Sequence, residues 1–284
     1  MAFSDSTAAN PQAPSARYRR ILLTGAAGNL GQQMRSALGA WADAVRLSDI
    51  APIPSGSDNA EIVQADLADP MAVQALVRDV DAIVHFGGIS VEAPFDAILA
   101  ANIVGLNNLY VAAQQQGVRR IVYASSNHVT GFYPVEQTVD PSMPPRPDGL
   151  YGVSKCFGEA LSRYYYDRFG LETVCLRIGS CFEAPRNPRM LITYLSYADC
   201  IAAVRASLFA PHVGHTVLYG VSDNRVKWWD NRGTGHIGFR PSDSSIPFEK
   251  VFETVVPPSN AEVRADPTLQ YQGGPFVLAG PMAS

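Results

Sequence analysis

The chain has 284 residues, enough for one large hydrophobic core or one core with a smaller lobe. Hydrophobic residues make up 47% and charged residues 17%, a globular balance with a thin charged surface. The formal net charge of −4 speaks against a nucleic-acid or anionic-membrane partner, and no apolar run reaches the roughly 18 residues that a membrane span needs.

Residues 1–16 read as a disordered tail. The stretch is rich in Ser, Ala and Pro and lacks the basic and apolar regions of a signal peptide. The cysteines Cys156, Cys175, Cys181 and Cys200 show no C-x-x-C spacing. They predict reduced thiols, a cytoplasmic location and no metal site.

The first element is the apolar run Ile21–Leu23, a short buried strand that leads into Thr24-Gly25-Ala26-Ala27-Gly28-Asn29-Leu30-Gly31. A glycine at every third position lets the backbone turn sharply and approach a pyrophosphate. The helix predicted over Gln32–Leu38 aims its free N–H groups at that phosphate. Ala44–Leu47 is a second strand ending at Ser48-Asp49-Ile50. A carboxylate at this tip accepts from both hydroxyls of an adenosine ribose and repels a 2′-phosphate, so NAD is expected and not NADP. Pro52–Asn59 is a loop, and Ala60–Ala65 a third strand followed by Asp66-Leu67, where Asp66 could meet the adenine amine. Asp69 as N-cap and Pro70 as first residue open a helix to about Val77. Ala82–Phe86 is a fourth strand whose exit, Gly87-Gly88, leaves room for a dinucleotide against the backbone. One long helix is predicted over Asp96–Gln116, carrying Asn102, then a fifth strand over Arg119–Ala124. This order is a βαβαβ nucleotide-binding half, and the Ala-rich helices suit packing on a parallel sheet.

Ser125-Ser126-Asn127-His128 leaves the fifth strand at the end that faces a ligand crevice. After the proline-rich loop Val135–Gly149, Tyr151-Gly152-Val153-Ser154-Lys155 opens a helix to about Phe169. Tyr151 and Lys155, four apart, share a face. An ammonium near the phenol favours the phenolate, which suits a general base, and Ser126 can hold the same substrate oxygen. Glu172–Arg177 is a sixth strand with Ile178-Gly179-Ser180 at its mouth. Ser196–Ala206 reads as a helix that Asp199 caps or supports, and Thr216–Gly220 as a short strand. Trp228 and Trp229 read as packing residues, and His212, His215 and His236 as loop residues. The last forty residues are rich in Pro, Ser and Gly and leave open whether they wrap the core or meet another subunit.

In Thr24–Gly31, Asp49, Asp66-Leu67, Asn102, Ser125-Ser126 and Tyr151-x-x-x-Lys155, over about residues 20–240, the chain resembles the extended short-chain dehydrogenase/reductases, the group of NAD-dependent epimerases and dehydratases. The Gly25–Gly31 turn, Phe86–Ser90, Ala124–His128, Arg177–Phe182 and Ser222–Asn231, with Lys227–Asn231 inside it, resemble the bacterial uronate dehydrogenases within it. The resemblance implies an α/β fold, a Rossmann-type doubly wound parallel sheet. Its NAD-binding domain would span 17–180. Residues 181–284 would form mainly a smaller substrate-binding lobe and a C-terminal extension, with some elements returning to the core. It makes Ser126, Tyr151 and Lys155 the catalytic residues. It places NAD against Gly25, Ala27, Gly28, Asn29, Leu30, Gly31, Asp49, Ile50, Asp66, Leu67, Phe86, Gly87, Gly88, Asn102, Ala124, Tyr151, Lys155 and Ile178. It assigns the substrate to Asn29, Ser90, Ser126, Asn127, His128, Tyr151, Ser180 and Arg189, with Arg189 on a carboxylate.

The activity it implies is oxidation of a hexuronate, glucuronate or galacturonate, at C1 to the aldarolactone, by a homo-oligomer. Two rivals remain at this point: another small-sugar dehydrogenase or epimerase of the same group, and a non-enzymatic NAD-sensing protein. The chain departs from the usual group in having Val129-Thr130-Gly131 where Val-Tyr-Gly stands, and Asn127-His128 where a dehydratase has its Thr-Asp/Glu acid–base pair.

Overall fold

The computed structural model describes residues 17–54 and 60–280. The tail expected over 1–16 and most of the Pro52–Asn59 loop lie outside them. β1 (Tyr18–Thr24), β2 (Ala42–Asp49), β3 (Glu61–Gln64), β4 (Ala82–His85), β5 (Arg120–Ser126) and β6 (Glu172–Ile178) appear in chain order. With β9 (His215–Gly220) they form one seven-stranded sheet, in the order β3-β2-β1-β4-β5-β6-β9. Every pairing in it is parallel. The strand order reverses between β1 and β4, which puts the ligand crevice beyond the C-terminal ends of those two strands. A two-stranded pair, β7 (Ser180–Cys181) and β8 (Tyr194–Leu195), stands beside the mouth of β6.

Helices cover both faces. α1 (Asn29–Trp41) and α7 (Tyr197–Phe209) pack with Ile21, Leu23, Val84 and Leu176 on one side. On the other lie α2 (Pro70–Val77), α3 (Phe95–Ile98), α4 (Gly105–Gln115) and α5 (Leu150–Phe169), around Leu22, Ile83, Ile121 and Cys175. Alternate residues of a strand point to opposite faces, so Leu22 belongs to one core and its neighbours to the other. α2 begins as the sequence predicts: the Asp69 carboxylate accepts from the Met71 and Ala72 N–H groups, and Pro70 follows it.

Two expectations change and a third is narrowed. The helix read as continuous over Asp96–Gln116 is interrupted by a π-helical turn, Leu99–Val104, between α3 and α4. That wider turn carries Asn102, whose amide bonds outside the helix, to Ile89 and Ser154. The whole run, Phe95–Gln115, is long and apolar enough to match a membrane span by composition. Ile98, Leu106, Leu109, Tyr110 and Ala113 are nevertheless buried against the sheet, which makes it a core helix. His215 lies in β9 and not in a loop, its ring held by the Ser162 hydroxyl at 2.9 Å. α7 is capped by Ser196, which accepts from the Asp199 N–H. Asp199 supports the helix rather than capping it: its carboxylate takes four bonds from outside, from the hydroxyls of Ser222 and Ser242 and the N–H groups of Ser242 and Asp243.

After β9 the chain forms short helical turns, α8 (Asn260–Ala265) and α9 (Pro267–Gln270), and then a segment that runs back to the mouth of the sheet. Trp228 and Trp229 pack there with Tyr133, Val139, Tyr219 and Val221 in a small core of their own. α6 (Met190–Thr193) follows the Arg189 loop.

Candidate active site

The glycine turn sits between β1 and α1. A Cβ on Gly25, whose φ is +73°, would stand 2.5 Å from the Phe86 carbonyl carbon, and one on Gly31 would stand 2.1 Å from the Gly25 oxygen. Both positions are closed by backbone, so only glycine fits. Gly28 differs: its missing side chain would meet nothing nearer than the Gly25 oxygen at 3.4 Å. The turn therefore has an open side, where a pyrophosphate can approach the α1 N-terminus. Asp49 at the tip of β2 accepts from Ala27 N–H and Ala51 N–H, each at 3.0 Å, which ties the turn to the second strand. The Ala27 carbonyl in turn accepts from Gln32. Beside it Ile50 is exposed and its carbonyl accepts from Gln64. Leu30 packs toward Cys181 and Leu195. Asn29 exchanges hydrogen bonds with the Tyr197 hydroxyl at the start of α7.

Across the switch point, Asp66 accepts from Ala68 N–H, and Leu67 leans toward Gly87 and Gly105. Phe86 packs on the core, and Gly87 N–H donates to the Thr24 hydroxyl. Gly88 has φ +116°, and a Cβ there would stand 2.6 Å from the Asn102 amide oxygen. Asn102 is spent on protein: its oxygen takes Ile89 N–H, and its nitrogen donates to the Ile89 carbonyl and the Ser154 hydroxyl. Asn102 thus fixes the Gly88–Ile89 backbone beside the crevice. Ser90 follows it and is exposed.

The paired serines of β5 have separate partners. The Ser125 hydroxyl donates to Glu159, whose carboxylate also receives the Arg177 guanidinium at 2.8–2.9 Å. Ser126 faces the crevice. Its oxygen accepts from His128 N–H, and its hydroxyl lies near enough to the Tyr151 phenol to favour the phenolate. In the parallel register Ser126 lies opposite Ile178, and Ile178 opposite Gly220, which brings the β6 exit alongside. Asn127 is buried, its carbonyl taking the Thr130 hydroxyl. Ser180 shares a hydrogen bond with Thr193.

Tyr151 and Lys155 share the sheet-facing side of α5, and both are buried. Lys155 donates to the Ala124 carbonyl at 2.8 Å and stands 5.6 Å from the Tyr151 ring centroid. Burial pulls the Lys155 pKa down to about 8. Burial also pushes Tyr151 up to about 12, against the lowering hydrogen bond of Ser126 and with a further rise from the Asp148 charge. The sequence expectation that the lysine lowers the phenol is therefore not met by the protein's own groups, because desolvation of the phenolate outweighs them.

The sequence reading passed over a group of residues that surrounds this pair. Asp148, buried between Gly131 and Gly273, holds His128 Nδ1 at 2.7 Å. Its second oxygen is buried with no hydrogen-bond partner. Phe276 stacks on the His128 ring at 3.8 Å and lies 6.2 Å from the Tyr151 ring. Gln272 anchors that segment: its amide bonds Trp229 and the Pro134 and Gln137 carbonyls. Its carbonyl accepts from the Arg189 guanidinium. Arg189 also lies over the Trp228 ring at 5.7 Å. Two parts of the chain with little periodicity, the proline-rich loop and the last forty residues, thus meet over the start of α5. Neither has a pattern that predicts it. Glu92, also unmarked in the sequence, accepts from the N–H groups of Leu150 and Tyr151. No cluster of three or more His, Cys, Asp or Glu side chains suited to a metal occurs among the described residues.

The model of the NAD dependent epimerase/dehydratase family matches residues 21–198. The chain is 49% identical over 265 residues to the uronate dehydrogenase of Pseudomonas putida, covering 93% of this chain and 97% of that one. Over 259 residues it is 49% identical to the uronate dehydrogenase of Agrobacterium fabrum, covering 91% and 97%. Among solved structures it superposes on a mutant uronate dehydrogenase from Agrobacterium tumefaciens complexed with NAD, with a TM-score of 0.87, 48% identity and coverage of 93% and 98%. The chain belongs to the NAD dependent epimerase/dehydratase family, and relatives at 49% identity within it are uronate dehydrogenases.

Proposed function

We propose that the chain is an NAD-dependent uronate dehydrogenase that oxidises a hexuronate at C1 to its lactone. Arg189 is the observation that carries this reading. Its side chain is half-buried, and burial pulls its pKa down to about 10. Among the described residues no carboxylate lies within ion-pair distance of it, and Asp148 acts on it only through space. Its fork gives Nε and one Nη to the Gln272 carbonyl, and the other Nη is left to donate. A cation drawn partly out of water without a counter-charge is costly. A substrate carboxylate supplies that charge in a geometry the fork matches. A neutral aldose does not.

NAD, when bound, supplies the hydride acceptor, and the open side of Gly28 together with Asp49 fits its pyrophosphate and adenosine ribose. The rest belongs to this chain. Ser126, fixed by the His128 N–H, donates to the oxygen at C1. Tyr151 takes the C1 hydroxyl proton, with Lys155 on the same buried face of α5, 5.6 Å from its ring centroid. His128, oriented by Asp148, and Phe276 close the side of the sugar away from the sheet.

The test is NADH formation over a panel of uronates and neutral aldoses, with NAD and with NADP. Glucuronate and galacturonate with NAD should react, glucose should not, and NADP should be poor. Removing a hydrogen bond to a charged group costs roughly 1.5–3 kcal/mol, so Arg189→Ala should raise the uronate KM about 10- to 100-fold and leave the KM for NAD unchanged. Equal rates on glucose and glucuronate would overturn the reading.

A further inference from the structure

Helix α5 carries the tyrosine, yet its own N-terminus provides no cap: the residue before it is Gly149, with no side chain to offer. The first free N–H groups of a helix need acceptors, and a buried pair left without them is costly. Here they are met from a distant part of the chain. Glu92, in the connection between β4 and α3, is 7% exposed. Its Oε1 accepts from Leu150 N–H at 3.0 Å and its Oε2 from Tyr151 N–H at 2.9 Å. Gly149 and Gly280 both lie so close to the carboxylate that a Cβ on either would stand within 3.0 Å of one of its oxygens. No cation pairs with Glu92 among the described residues, so the two backbone donors are what hold it.

The same connection is attached to α5 a second time. Asn102 grips both the N–H and the carbonyl of Ile89, and its amide also donates to Ser154, one turn along the helix from Tyr151. Ser154 in turn donates to the Tyr151 carbonyl. The segment Ile89–Glu92, which includes the exposed Ser90 at the crevice, is thus bolted to the tyrosine's own backbone at both its ends. The charge of Glu92 is not among the influences on the Tyr151 phenol, whereas that of Asp148 is. Glu92 acts on the tyrosine through the backbone.

We propose that Glu92 is a positioning residue for the reaction: by clamping the Leu150 and Tyr151 N–H groups it holds the Tyr151 phenol in register with the Ile89–Ser90 side of the crevice. The chemistry it serves rests on the uronate oxidation proposed above. A misplacement of about 1 Å in a reacting group can cost on the order of 100-fold in rate.

The test is Glu92→Gln, which preserves shape but offers one acceptor where two are used. In steady-state assays of the purified protein, kcat for the uronate should fall about 10- to 100-fold, the KM values for uronate and NAD should stay within about twofold, and the acid limb of the pH profile should not move. Amide hydrogen exchange should quicken at Leu150 and Tyr151, a readout that needs no substrate and stands whatever the wild type oxidises. Glu92→Asp, too short to span both donors, should behave in the same way, and it provides these measurements if the glutamine variant does not fold. Wild-type kcat in a folded variant, a loss confined to KM, or a displaced acid limb would each overturn the proposal.

Discussion

Ser125 and Ser126 are chemically identical neighbours, and their partners alone decide what each can do. Ser125 is committed to a buried Glu159–Arg177 ion pair, and only Ser126 reaches the phenol. A sequence can point to the pair and to Tyr151-x-x-x-Lys155, because those spacings follow from helix and strand geometry. It cannot show the balance of desolvation and charge, which depends on how deeply α5 is buried. Lys155 makes this measurable. Its folded pKa, about 8, lies below the ordinary 10.5, so between those values the unfolded chain holds more protons and stability rises with pH. Below about pH 8 the full cost is present, about 3 kcal/mol at 1.36 kcal/mol per unit. Lys155→Met should therefore be more stable than the wild type at pH 7, by on the order of 1–3 kcal/mol. The difference should close toward pH 10.5 in urea-unfolding midpoints, while turnover is lost.

The elements that carry strong local signals match their sequence reading. α2 is the clearest, since Asp69 and Pro70 specify its first turn without help from the rest of the fold. Asp69→Ala should lower the unfolding free energy by about 1 kcal/mol, read from thermal or urea melts, without changing NADH formation. Elements governed by distant contacts were illegible. The π turn at Leu99–Val104 exists where Asn102 must reach Ile89 and Ser154, and nothing in an alanine-rich helical pattern announces it. β9 begins at His215 because it pairs with β6 from Thr173 onward. Arg189, placed by sequence on a substrate carboxylate, also supports the Gln272 carbonyl, a contact made across much of the chain.

At the scale of the molecule, the parallel sheet and its crevice were legible because glycine turn, acidic tip and strand exits recur in a fixed order. The closure over the crevice was not, because Asp148, Gln272 and Phe276 lie in segments without periodicity. The buried sheet also sets an acid limit. His85 at the end of β4 shares a 2.7 Å hydrogen bond with Thr24, and burial, helped by the Lys155 charge, pulls its pKa down to about 3. The unfolded chain takes up this proton near pH 6.5, so stability should fall as the pH drops from about 6.5 toward 3, by up to about 1.4 kcal/mol per unit from this group. His85→Gln, which keeps a polar partner for Thr24, should flatten that decline in unfolding curves taken from pH 7 to 4. The path of Gln272 and Phe276 back to His128 has a consequence for how the protein acquires its activity. The glycine turn and first five strands are complete by Ser126, whereas Phe276 beside Tyr151 and Gln272 behind Arg189 come from the far end of the sequence. The surroundings of the glycine turn are thus built from the first half of the chain, and those of Tyr151 are complete only when the segment carrying Gln272 and Phe276 is in place.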